Sequence, residues 1–316
     1  MNWTVGVDVG GTFTDFFALN ESTGYVYVTK RPSTPDNPAQ AVLDGLDDLS
    51  DRHNLPLNEL RHLSHGTTVA TNALIQRRGG KVMMLTTSGF GDLIEIGRQT
   101  RPHMYDLQKD HPPPLVGPDW RIEVKERITA GGEVITILTE EVIDEAVTAV
   151  TNTKSDACAI CFLFAFQNPE HEKRLETAVR KALPQLYISR SSDVQSEFRE
   201  VERFSTTVLN AYLQPVMAKY IDDLESGLIE KAPNATLGLN QSSGGLMSLN
   251  RARNLPIRTA LSSPAAGVVG AAHVARLGSQ EDVITLDMGG TSADMALIRK
   301  GVVPVTFGRD VSGLPI

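Results

Sequence analysis

A chain of 316 residues, 41% hydrophobic and 22% charged, has the composition of a globular protein long enough to bury more than one core. Its net charge of −8, with no run rich in Lys or Arg, argues against nucleic-acid binding as the main role. The longest apolar run, residues 157–166, is too short to cross a bilayer, and the N-terminus enters a strand at once, so neither a membrane span nor a signal peptide is expected.

The first element reads as a hairpin. Val5, Val7 and Val9 alternate at strand period, and Phe13, Phe16 and Phe17 supply an apolar return strand. Gly10-Gly11 between them permits φ > 0 and the close approach of a ligand, and the exposed N–H groups of such a turn form a nest for an anion. Thr12 and Thr14 add hydroxyl donors for phosphate oxygens. Asp8 stands just before the turn, where it would repel a bare phosphate. A divalent cation between them removes the conflict, because Mg2+ prefers carboxylate, water and phosphate oxygens.

A third strand is expected at 25–30. A helix then starts near Pro38, capped by Asp36 or Asn37, with Ala41, Val42, Leu43, Leu46 and Leu49 as its apolar stripe. A strand at 60–64 leads to a turn, His65-Gly66-Thr67-Thr68, and a helix over 69–76. His65 at a helix N-terminus is a candidate to bind phosphate, to act as acid or base, or to bind a metal. The plain alternative is a structural hydrogen bond to Thr67 or Thr68. A strand at 81–86 continues an α/β order.

Residues 88–136 break that rhythm and read as a functional insertion, with strand-like pieces at 121–124 and 133–137. Arg98 and Arg101 are candidates to clamp a carboxylate or phosphate by forked hydrogen bonds. A helix follows Thr139. Cys158 and Cys161, the only cysteines, fall in an apolar strand and read as core residues in a reducing cytosol. Helices are expected at 169–183, 197–212 and 215–229, and strands at 186–189 and 236–240. Gly244 and Gly245 lie in a loop after the last of these strands, where α/β sheets bind ligands. Ser262-Ser263-Pro264-Ala265-Ala266-Gly267 opens a helix to about 277, whose free N–H groups form an anion site that includes Gly267.

The wording of the first hairpin then returns as Asp287-Met288-Gly289-Gly290-Thr291-Ser292-Ala293-Asp294. Asp8 matches Asp287, Gly10-Gly11 match Gly289-Gly290, Thr12 matches Thr291, and Asp15 matches Asp294. Two copies suggest two related domains that grip a nucleotide's phosphates from both sides, with Asp8 and Asp287 organising Mg2+ directly or through water. The alternative for each aspartate is to cap its own turn. A last strand is expected at 302–307.

Paired phosphate hairpins of this kind resemble the actin, Hsp70 and sugar-kinase ATPase superfamily. The fuller wording resembles the hydantoinase A / 5-oxoprolinase family, which includes N-methylhydantoinase, caprolactamase and acetophenone carboxylase subunits. Its phrases include Lys30-Arg31-Pro32-Ser33-Thr34-Pro35, His65-Gly66-Thr67-Thr68-Val69-Ala70-Thr71-Asn72, Ile96-Gly97-Arg98-Gln99-Thr100-Arg101-Pro102, Arg199-Glu200-Val201-Glu202-Arg203 and Gln241-Ser242-Ser243-Gly244-Gly245. One departure is Ser263, where the family usually has Gly.

The resemblance implies an actin-like α/β fold with two related domains around a nucleotide cleft. Residues 1–190 would form the first, with its insertion at about 88–136. Residues 191–316 would begin a second, truncated one, because family members run far longer and hold adenosine with a Gly-rich segment beyond this point. It also implies ATP and Mg2+ as cofactors, a cytoplasmic location, a B-type partner subunit and an oligomer. The implied reaction is phosphorylation of a cyclic amide such as a hydantoin, 5-oxoproline or lactam, for ring-opening hydrolysis. Asp8, His65, Arg98 and Asp287 are the expected catalytic residues. The alternatives are a small-molecule kinase of the same superfamily and a non-catalytic nucleotide-dependent switch or scaffold.

Overall fold

Strands β1 (Trp3–Val9) and β2 (Phe13–Asn20) pair antiparallel in a register that sets Asp8 opposite Asp15 and Val7 opposite Phe16. Their alternation buries Val5, Val7, Phe16 and Ala18 on one face of the sheet. β3 (Val26–Pro32) extends the hairpin, helix α1 (Pro38–His53) crosses over, and β4 (Leu60–Thr67) returns parallel to β1. Pro38 fits the first turn of α1 because its missing N–H has no helical partner there. Neither expected cap acts: Asn37 makes no side-chain cap bond, and the Thr34 hydroxyl accepts from the Ala41 N–H at 3.1 Å instead. β4 runs on to Thr67, so most of the expected turn at 65–68 is strand. Helix α2 (Val69–Ile75) follows it. The computed structural model that shows this describes residues 2–315 other than 107, 289–292, 307, 309 and 312.

The chain then builds a second sheet. β5 (Val82–Thr87), β6 (Arg121–Val124), β7 (Ala157–Cys161) and β8 (Tyr187–Arg190) are parallel in the order β8-β7-β5-β6, with helices α3 (Glu140–Thr153) and α4 (Glu170–Ala182). β5, expected to continue the first α/β run, belongs here. Every one of its residues is buried, as a central parallel strand requires. The Thr139 hydroxyl caps α3 by accepting from the Val142 N–H. Cys158 and Cys161 are free and fully buried. Burial pushes the Cys158 thiol up to about 12 and the Cys161 thiol well above its ordinary range, so both stay protonated core residues.

Helix α5 (Glu200–Lys231) replaces the two helices expected on either side of residue 213. It passes through Pro215, which lacks an N–H and costs about 3 kcal/mol in a helix interior. Leu213, Met217, Ala218, Tyr220 and Ile221 are buried around that point, and this packing holds the turn. The chain then returns to the first sheet with β9 (Thr236–Asn240), parallel to β4, and β10 (Leu246–Met247), giving the order β10-β9-β4-β1-β2-β3. Helix α6 (Ser262–Leu277) precedes a second hairpin, β11 (Val283–Met288) and β12 (Ala293–Ile298). The strand expected at 302–307 reduces, among the described residues, to a single bridge between Arg299 and Val302.

Spatially the chain divides into two units, residues 1–72 with 216–307 and residues 73–215 with 308–316. A division at 190 into two related domains remains a proposal. In the first unit α1 and the later turns of α5 cover one face of the six-stranded sheet. A Cβ on Gly45 of α1 would lie 2.0 Å from the Phe16 ring, and one on Gly227 of α5 would lie 2.3 Å from Leu43. Glycine at these two places lets α1 pack closely on the sheet and α5 pack closely on α1.

Candidate functional site

β1, β4 and β9 are parallel, so their carboxyl ends share one edge of the first sheet, the side on which such sheets bind ligands. Asp8 stands at this edge, registered between Asp15 of β2 and Gly66 of β4. Gly66 has no side chain to fill the space beside it. A Cβ there would lie 2.7 Å from Asp8 Oδ1 and 3.3 Å from both Asn240 Nδ2 and Ser263 Oγ. Four residues from four elements therefore converge on one point.

The start of α6 is pinned at the same edge. Leu261 is left-handed, at φ 61°, and its N–H donates to Thr71 Oγ1 at 2.9 Å. Ser262 Oγ donates to the Thr67 carbonyl at 3.4 Å, and Ser263 Oγ donates to Asp8 Oδ1 at 2.6 Å. No side chain caps α6, which leaves first-turn amides for a ligand. Its Gly267 is exposed, and a Cβ there would be 3.9 Å from Asp287 Oδ2.

The second hairpin copies the register of the first. Asp287 is opposite Asp294 as Asp8 is opposite Asp15. The surrounding protein raises the Asp8 pKa by burial, and the negative charges of Asp15 and Asp287 raise it further, while the Ser263 hydrogen bond works the other way. A carboxylate pressed by two others is relieved by a cation. Among the described residues, no three His, Cys, Asp or Glu side chains come close enough to enclose a metal. Two carboxylates are a donor set that could hold Mg2+, which keeps several waters and takes the rest of its ligands from one or two carboxylates and from phosphate.

At the tip of the first hairpin, the Gly10 N–H donates to the Phe13 carbonyl at 3.0 Å, and Gly11 faces open space. Neither glycine has positive φ; Gly11 is open, whereas a Cβ on Gly10 would crowd the Phe13 carbonyl oxygen at 3.0 Å. Thr12 is exposed. Thr14, expected to meet phosphate, is buried and shares a 3.0 Å hydrogen bond with Ser33, whose hydroxyl donates to the Gly10 carbonyl at 2.8 Å. Gly244 and Gly245 turn the chain from β9 to β10 at φ 87° and 77°, where glycine is favoured. Gly289, Gly290 and Thr291 lie outside the described residues.

His65 is not at this edge cluster. It is registered with Val7, one residue out of step with the Asp8–Gly66 pair, so it faces the opposite side of the sheet. There it is fully buried, with Nε2 hydrogen-bonded to the Tyr220 hydroxyl of α5. Burial lowers its pKa to about 4, only partly offset by the Val7 backbone, and keeps the ring neutral. Burial also raises the Tyr220 pKa, against a hydrogen bond with Thr67.

Arg98 belongs to the other unit, where its fork grips Glu202 at 2.8 and 2.6 Å. Arg203 of the same phrase is buried and donates to the carbonyls of Phe162 and Glu197 and to Ser191 Oγ. Glu172 accepts there from the Phe162 and Ser192 N–H groups and from Ser191 Oγ, while burial raises its pKa. This part of the wording builds a buried polar network within the second unit.

Sequence reading singled out Asp8 and Asp287 but not Gly66, Asn240 or Ser263 as their neighbours. A signal existed for the first: a glycine inside a strand often marks a close approach. The Ser263–Asp8 bond joins residues 255 apart and leaves no local trace. A shallow groove of about 300 Å3 lies against this cluster, lined by Gly6, Asp8, Asp15, Phe17, Ser64 and Asn240 among others.

Residues 4–183 match the family model described as the hydantoinase/oxoprolinase N-terminal region, and residues 203–316 match the one described as hydantoinase/oxoprolinase. The chain is 36% identical, over 95% of its length, to the caprolactamase subunit alpha of Pseudomonas jessenii. It is 32% identical, over 93% of its length, to the acetophenone carboxylase gamma subunit of Aromatoleum aromaticum. It covers 44% and 42% of those two relatives, so it spans less than half of each. Among solved structures, the ATP-dependent caprolactamase from P. jessenii matches with a TM-score of 0.83 and 36% identity, covering 93% of this chain and 43% of that one. Nucleotide-free acetone carboxylase matches with a TM-score of 0.88 over 100% of this chain and 46% of that one, and at 24% identity shows a shared α/β fold.

Proposed function

The chain belongs to the hydantoinase/oxoprolinase family, and from that premise we propose that it supplies the phosphate-gripping part of an ATP-dependent enzyme acting on a cyclic amide or related carbonyl compound. The observation that carries the reading is the pair of hairpins with one register, Asp8 opposite Asp15 and Asp287 opposite Asp294. Their leading aspartates are near enough for Asp287 to raise the Asp8 pKa. The two-domain, actin-like nucleotide cleft is part of the proposal.

Amide resonance makes a lactam or hydantoin a poor electrophile. In the proposed reaction the amide oxygen attacks the γ-phosphorus, the bond to the β-phosphate oxygen breaks, and ADP leaves. Water then adds at the carbon, the ring C–N bond opens to leave an acyl phosphate on the freed chain, and a second water hydrolyses that acyl phosphate to release phosphate. ATP, the cyclic amide and two waters become ADP, phosphate and the open amino acid. Mg2+, when bound, neutralises charge on the phosphates. Asp8 and Asp287 would hold it, and the open N–H groups near Gly11 and at the start of α6 would position phosphate oxygens. The groove beside Asp8 gives the carbonyl compound a place to lie.

The relatives named as alpha and gamma subunits support a B-type partner for the ring-opening step. Of the expected catalytic residues, His65 and Arg98 have their side chains engaged with Tyr220 and Glu202. The fate of the phosphate must therefore decide between hydrolase and kinase. The test is ADP release by the natural gene product, with and without its partner, against a panel of cyclic amides and ketones. Stimulated ADP release with free phosphate is expected. Phosphate retained on the compound would give the kinase. Nucleotide binding that no panel compound stimulates would give the switch.

A further inference from the structure

Ser263 touches the proposed cation site in a way that the phosphate-gripping role does not require. Its hydroxyl donates to Asp8 Oδ1 at 2.6 Å. Its helix is pinned there by two further bonds, Leu261 N–H to Thr71 Oγ1 and Ser262 Oγ to the Thr67 carbonyl. Gly66 leaves the room for this meeting, since a Cβ at that position would press on Asp8 Oδ1 at 2.7 Å and on Ser263 Oγ at 3.3 Å. One carboxylate oxygen is thus engaged by a fixed donor, and Oδ2 is the oxygen left to a ligand.

Cations differ in what they ask of a carboxylate. Ca2+ takes roughly six to eight oxygens and readily accepts both oxygens of one carboxylate, whereas Mg2+ demands a tight octahedron at about 2.1 Å and keeps several waters. A carboxylate with one oxygen tied to a hydroxyl is poorly placed to chelate side-on and well placed to offer a single oxygen. We propose that Ser263 is a positioning residue that makes Asp8 a one-oxygen ligand, and so biases the nucleotide site toward Mg2+ and against Ca2+. The inference rests on the reading of Asp8 as the residue that organises the cation.

The test is calorimetric titration of the natural gene product with ADP in the presence of Mg2+ alone or Ca2+ alone. The proteins compared are the wild type and the Ser263→Ala, Ser263→Thr and Asp8→Asn variants, each checked by thermal melting. The wild type should favour Mg-ADP. Ser263→Ala should narrow the Mg-over-Ca preference by about tenfold, chiefly through tighter Ca-ADP binding, and Ser263→Thr should keep the wild-type ratio because it keeps the hydroxyl. An unchanged ratio in Ser263→Ala, with Asp8→Asn losing Mg-ADP, overturns this inference alone. Mg-ADP binding that survives Asp8→Asn overturns the cation reading of Asp8 and this inference with it.

Discussion

The two hairpins carry the same words and the same register, yet they sit in different surroundings. In the first, Val5, Val7 and Phe16 are at most 4% exposed, because β1 and β2 are inside a six-stranded sheet covered by α1 and α5. At the matching places of the second, Ile284, Leu286 and Met295 are 73%, 64% and 75% exposed, and among the described residues β11 and β12 pair only with each other. The difference separates two causes. The Asp-x-Gly-Gly-Thr-x-x-Asp spacing sets which residues face each other across the turn. Burial comes from strands and helices that the hairpin sequence does not contain.

The largest expected effect follows from that contrast. In this 316-residue chain Phe16→Ala should destabilise the fold by about 3–5 kcal/mol, while Met295→Ala at the equivalent position should stay within about 0.5 kcal/mol, both read from denaturant unfolding of that chain. Equal losses at the two sites would show that the second hairpin is packed as the first is.

A smaller effect sharpens what lies beneath the first hairpin. His65 has a pKa of about 4 in the fold against an ordinary 6.5, so the unfolded chain takes up its proton first as pH falls. Stability from this group is complete above pH 6.5 and is lost progressively down to about pH 4, by roughly 3 kcal/mol in all. His65→Gln should flatten that part of the stability–pH curve relative to wild type. An unchanged difference between pH 6.5 and 4 would mean that the ring is not held neutral in the core.

The sequence showed what is local. The repeated wording marked both hairpins, the apolar stripe of α1 placed that helix, and the Thr139 cap and the Cys strand were readable from short windows. What it hid depends on distant partners. Nothing in residues 82–87 says that this strand pairs with β6 and β7 rather than with the first sheet. Pro215 looked like a helix boundary because its local cost is visible and the buried residues that offset it are not. His65 changed face and role because β4 continues past residue 64, and in a strand each further residue alternates sides. The same continuation brings Gly66 beside Asp8 and lets Ser263 meet it.

The central claim is that both leading aspartates serve one Mg-nucleotide despite their unlike surroundings. The most direct test is Mg-ADP binding to the natural gene product carrying Asp8→Ala or Asp287→Ala, with melting temperature measured alongside. The account predicts that each variant melts like the wild type and binds at least about tenfold more weakly, a loss of about 1.4 kcal/mol or more. Wild-type binding in Asp287→Ala would contradict it, because the second hairpin would then be a repeat in sequence and register without a share in the site.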